Sequence, residues 1–125
     1  MVSALSESLN QVLDIAGVRA VALIDLGSGM VVASADEDGA SFRTDFSAAA
    51  ASIAYAARSA IQAHGRGGNL EEIALTTASR LRLAKVLEYS RGEGLLLYLD
   101  VDLAQTNMAM ASWQIGQLAP GLLGG

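Results

Sequence analysis

The chain has one histidine and no cysteine, so the side chains that most often carry nucleophilic or proton-transfer chemistry are nearly absent. His64 closes a run that reads as a helix, where an imidazolium complements the negative end of the helix dipole. A Ser-His-Asp triad would have to be built on this single residue, and a Cys-His pair is excluded. Asp36, Asp38 and Gly39 open like a calcium loop, but the twelfth position from Asp36 is Ser47, where such a loop requires a bidentate glutamate. Gly65, Gly67 and Gly68 follow a helix and precede a strand, the reverse of the order that aims backbone N–H groups at a phosphate. Asp100 and Asp102 have a spacing that could hold a cation, yet Asp102 with Gln105 three residues on reads better as a capping box. Arg80, Arg82 and Lys85 form a small basic group, read as the solvated face of a strand. No catalytic residue, metal ligand or cofactor is expected, and the chain is not expected to be an enzyme.

The elements that position these residues follow from hydrophobic spacing. Leu5, Leu9, Val12, Leu13 and Ala16 predict a first helix over Ser3 to Ala16, with Ser3 as cap and Gly17 as stop. Val18 to Leu26 and Met30 to Ser34 predict a hairpin about Gly27, Ser28 and Gly29. Thr44 to His64 predicts one long helix, capped by Thr44 or Asp45. Glu71 to Thr77 alternates as a half-buried strand, with Arg80 to Glu88 as its hairpin mate. Beyond the loop at Ser90 to Gly94, Leu95 to Leu99 has no polar face and predicts the middle strand of a sheet. Ala104, Met108, Ala111, Ile115, Leu118 and Leu122 predict a last helix from Asp102 to about Ala119, ahead of Pro120. The order α-β-β-α-β-β-β-α implies a five-stranded sheet covered by the long helix on one face and the two terminal helices on the other.

The long helix carries two stripes. Phe46, Ala50, Ile53, Ala57, Ile61 and His64 predict the side turned to the core. Ala48, Ala51, Tyr55, Ser59 and Gln62 form a second stripe of small and amphipathic residues, fit to meet a partner helix. Alanine as plain helix filler is the other reading of the same stripe.

With 125 residues, the whole chain, 1–125, is expected to form a single domain. Hydrophobic residues make up 52% against 5% aromatics, more aliphatic surface than a small monomer readily hides, which favours an oligomer. A net charge of −5 argues against nucleic acid as a partner. The opening MVSALSESLNQ lacks the pattern of a secretory signal, and no apolar run reaches the length of a membrane span. A cytoplasmic protein without membrane insertion is expected.

The first hairpin VRAVALIDLGSGMVVAS, the Ala-rich helix, the second hairpin LEEIALTTASRLRLAKVL and the closing LLLYLDVDLAQTNMAMA together resemble the roadblock/LC7 family over nearly the whole chain. The resemblance implies an α/β, profilin-like three-layer α-β-α sandwich with a mainly antiparallel sheet in the order 2-1-5-4-3. It implies a homodimer, formed by antiparallel pairing of the long helices and of the edge strands, with Glu72, Ala74 and Thr76 joining the second stripe at the interface. It also implies a non-catalytic regulator or scaffold of a Ras-like small GTPase, in GTPase activation, polarity, motility or signalling, as in bacterial members. Ser52, Arg58 and Gln62 are the residues expected to face that partner. A ligand sensor of PAS or GAF type is the alternative; it would need a cavity lined by large side chains.

Overall fold

A computed structural model describes residues 2–26, 28–36, 44–63, 70–87 and 94–124, with side chains from residue 7 to residue 118 except those of 36 and 44–48. The elements are α1 (Val2–Leu13), β1 (Val18–Asp25), β2 (Val31–Asp36), α2 (Thr44–Ala63), β3 (Glu72–Thr76), β4 (Arg80–Leu87), β5 (Leu95–Asp102) and α3 (Met108–Gly124). The strands form one sheet in the order β2-β1-β5-β4-β3, as expected, with every pairing antiparallel. His64, Gly27, the glycines of 65–68, Asp38, Gly39 and the loop residues 90–93 lie outside the described residues.

β5 is central because both of its faces are apolar. Leu97, Leu99 and Val101 point to one side and join Leu9, Val12, Ile15, Val21, Leu23, Leu81, Leu83, Ala111 and Ile115 in a core beneath α1 and α3. Leu96 and Tyr98 point to the other side and pack with Ala22, Ile24, Ala84 and the α2 residues Ala50 and Ala54. Alternation along one strand therefore feeds both layers, and each buried leucine contributes about 1.5–3 kcal/mol.

Several boundaries differ from the sequence reading. α1 stops at Leu13, because the chain tightens there: Ile15 N–H bonds the Val12 carbonyl and Val18 N–H the Ile15 carbonyl. Gly17 does serve the stop, at φ +87°. Asp102 does not cap the last helix. It closes β5 and folds an Asx turn, accepting the Ala104 N–H at 2.9 Å. Asn107 caps α3 instead, its Oδ1 accepting the Met110 N–H at 2.9 Å. α3 also continues past Pro120 to Gly124.

The largest correction concerns α2. Of the expected core stripe, Ala50 is buried, Ala57 and Ile61 are half-buried and Ile53 is exposed, while the Phe46 side chain lies outside the described ones; Ala54, outside that stripe, is buried as well, and Tyr55 is exposed. The bulk of that layer comes from the sheet, from Ile24, Leu96 and Tyr98, so small helix residues let the two layers approach.

Candidate interaction surfaces

α2 has two unlike flanks. Ala51 is half-buried and turned to the β1–β2 hairpin, where a Cβ placed on Gly29 would stand 3.4 Å from the Ala51 Cβ. At 100° per residue, Ala49, Ile53, Ala56 and Ala60 lie on the opposite flank, toward the half of the sheet that ends in β3. All four are exposed. Of the stripe expected to meet a partner helix, Tyr55, Ser59 and Gln62 are exposed, Ala51 packs within the chain, and the Ala48 side chain is outside the described ones. Among the residues expected to face a partner, Ser52 and Gln62 are exposed and Arg58 is half-buried.

β3 is an edge strand, hydrogen-bonded only to β4 within the sheet. It is barely covered: Ala74, Leu75 and Thr76 are exposed, and Ile73 alone packs on the α2-side core. The expected half-buried strand is thus an almost open one. Leu75 pairs with Arg82 and Ile73 with Ala84, which puts both on the α2 face. Ala74 and Thr76 lie on the other face with Glu72, whose Oε1 accepts the Ser112 hydroxyl of α3 at 2.7 Å.

The basic group does not form one face. Arg80 and Arg82 are paired with Asp102 and Asp100 across β4 and β5 and share the α2 face, whereas Lys85 pairs with Leu97 and belongs to the opposite face. Arg80 Nη2 bonds Asp100 Oδ2, Arg82 Nε lies 3.2 Å from Asp100 Oδ1, and Arg82 Nη1 donates to the Tyr98 hydroxyl at 3.2 Å. The β1–β5 register shifts between Val18 and Ala20, and this bulge re-aims Arg19, whose Nη2 donates to Asp102 Oδ2 at 3.0 Å. The Asp102 carboxyl is held below the usual aspartate range, first by the Ala104 N–H, then by the Arg19 hydrogen bond and the Arg19 and Arg80 charges, against desolvation that raises it. Sequence spacing placed the arginines together but gave no sign of these carboxylate partners, which come from another strand.

Outside these regions, Met108, Met110 and Trp113 on α3 and Met30, Val31 and Val32 at the first hairpin are exposed apolar residues. Among the described residues no cluster of three or more His, Asp or Glu is placed to hold a metal ion, and no described helix is long and apolar enough to cross a membrane.

One long helix on one face, two terminal helices on the other and a sheet in the order 2-1-5-4-3 define a three-layer sandwich of the roadblock/LC7 fold. Solved structures with this architecture superpose on the chain over nearly its full length. The gliding protein MglB of Thermus thermophilus shares 20% identity at a TM-score of 0.78, covering 96% of this chain and 86% of that one. Myxococcus xanthus MglB shares 15% at a TM-score of 0.81, covering 96% and 85%. A roadblock/LC7 domain from Streptomyces avermitilis shares 18% at 0.73, covering 93% and 92%. No family model and no curated protein sequence matches the chain.

Proposed function

We propose that this chain is a non-catalytic regulator or scaffold that works as a homodimer and binds a Ras-like small GTPase. The observation that carries the reading is the coincidence of two uncovered elements on one side of the molecule: the Ala49, Ile53, Ala56, Ala60 flank of α2 and the edge strand β3 with exposed Leu75. Small residues around one isoleucine let two helices approach closely, and an unpaired strand edge invites a second copy. The flank argued here for the helix seam differs from the Ala51, Tyr55, Ser59, Gln62 stripe, because Ala51 already packs against the first hairpin. Ala74 and Thr76 stay at the interface as edge-strand residues.

The GTPase half of the proposal rests on the roadblock/LC7 resemblance and on the likeness in fold to MglB, a gliding protein. With the two α2 helices side by side, Ser52, Tyr55, Ser59 and Gln62 of both copies form the outward surface on which such a partner would sit. The experiment is a pull-down from native lysate with the dimer as bait, comparing GDP with a GTP analogue. A GTP-dependent small GTPase among the captured proteins supports the reading. Identical captured proteins in both nucleotide states, with no GTPase among them, would remove it.

A further inference from the structure

We infer that the outward face of α3 is a second self-association surface, through which two homodimers meet back to back, Trp113 of each copy seating over Gly116 of a copy in the other dimer. The inference rests on the homodimer proposed above and concerns the opposite side of the sandwich. α3 packs on β4 and α1 on β1 and β2, and Ser112 of α3 reaches the edge strand through Glu72. Once two copies join at β3 with their α2 helices on one side, both α3 helices lie on the other, nearest the two-fold axis, with the α1 helices outside them. The middle of that back face is uncharged, because from Leu103 to Gly125 the chain carries no charged side chain. Its borders are polar: Glu7, Asn10, Gln11 and Asp14 are exposed on and just after α1. An apolar centre inside a polar rim is the anatomy of a protein–protein interface.

The occupant is a second copy because the surface is complementary to itself. Trp113 is 63% and Met110 52% exposed, while Ala109 and Gly116, one turn to either side of Trp113, are exposed and small. A Cβ at Gly116 would meet no atom within 4 Å, so nothing in the chain itself calls for glycine there, and glycine inside a helix costs stability relative to alanine. Knob and hollow share one stripe, and an antiparallel pair of α3 helices puts each Trp113 over the partner's Gly116. A buried indole N–H needs an acceptor; the Gly116 carbonyl lacks the usual donor four residues on, since Pro120 has no N–H. At −5 per chain, copies approach with least repulsion across a face without charge, whereas an anionic membrane, which interfacial helices grip with Lys and Arg, is repelled. Trp113 and Met110 offer roughly 250 Å² of apolar surface per copy. One contact, about 500 Å² over two copies, falls short of a stable interface, and the two contacts made when dimers meet reach its lower limit of about 1,000 Å². The association is therefore weak and follows dimer formation.

Trp113 is the only tryptophan, so its emission reports on this face alone. Sedimentation of the full chain from low to high micromolar concentration is expected to show dimer passing to tetramer, with a blue shift of the emission in step and a further gain on adding salt, which screens like-charged copies. Gly116→Gln fills the hollow with a better helix former: it should raise the urea midpoint of the dilute protein yet weaken tetramer formation about tenfold. Trp113→Gln should stay dimeric throughout. A dimer of constant mass and constant emission overturns the inference, as does a Gly116→Gln variant that associates like the unmodified protein. Emission shifted by neutral phosphatidylcholine vesicles while the protein is dimeric gives the face to lipid and overturns it equally. Failure of the homodimer reading looks different, since the mass then starts from the monomer. A monomer passing straight to a pair with shifted emission removes the α2–β3 dimer and leaves the α3 contact in place, and a chain monomeric throughout removes both.

Discussion

Ser112 on α3 donates its hydroxyl to Glu72 on β3 at 2.7 Å, across forty residues of sequence, and so joins the open edge strand to the helix layer behind it. A hydrogen bond of this kind, half out of solvent, stabilises by about 1 kcal/mol. Ser112→Ala should lower the urea unfolding free energy by that amount. Adding Glu72→Ala should cost little more, because the two residues act as a pair. Fully additive losses would show that they are not coupled.

Ile53→Glu places like charges against each other in the proposed helix seam and leaves them desolvated. The substituted protein should run as a monomer by light scattering at micromolar concentration while keeping its circular dichroism, since Ile53 is exposed within the chain. Ser59→Glu, on another side of α2, should remain a dimer. If both variants keep the mass of the unmodified protein, the seam lies elsewhere.

A partner seated across the two-fold axis of such a dimer touches both copies and blocks a second partner. The expected complex holds two copies of this chain and one GTPase. Mass determination of the isolated complex decides between this and a two-to-two assembly, which would shift attention to a lateral surface such as Arg80 and Arg82.

Gly17 is at φ +87°, and a Cβ there would stand 2.8 Å from Thr106 Cγ2 and 2.9 Å from the Asp102 carbonyl oxygen. Gly17→Ala meets both the backbone penalty and the clash, and should destabilise by more than about 1 kcal/mol. Thermal unfolding that matches the unmodified protein would contradict the local geometry.

The depressed Asp102 pKa has a definite sign in acid. A carboxyl whose folded pKa lies below its unfolded value adds stability above the unfolded value, near pH 4, and that part is lost as pH falls through the folded value. Asp102→Asn should therefore flatten the decline in urea midpoint below about pH 4. Parallel declines in the two proteins would assign the acid sensitivity to other carboxylates.

The order of elements and the central place of β5 were legible because Leu95 to Leu99 can be buried on both sides and in no other way. The orientation of α2 was legible in part: Ala50, Ala57 and Ile61 of the expected core stripe are buried or half-buried, whereas Ile53 is exposed and Ala54 is buried, since alanine carries no signal of which way it faces. Asp102 was misread for a related reason: an aspartate followed by Gln105 is as good an Asx turn as a cap, and only the Arg19 and Ala104 contacts decide. The Arg80 and Arg82 surface was half legible, since alternation puts the two on one face while Asp100 comes from a neighbouring strand. Lys85, an odd number of residues away, was grouped with them by proximity alone.

The two rims of the sheet are unequal. β3 is an unbroken strand in register with β4 throughout, whereas the β1–β2 register shifts between Leu23 and Ile24, leaving Val32 as an extra residue on β2. A bulge disrupts the row of groups that a further strand would need. Joining two copies through β3 would leave a ten-stranded ribbon terminated at both ends by such irregular rims, so growth by edge addition would stop at two rather than run on into a fibre.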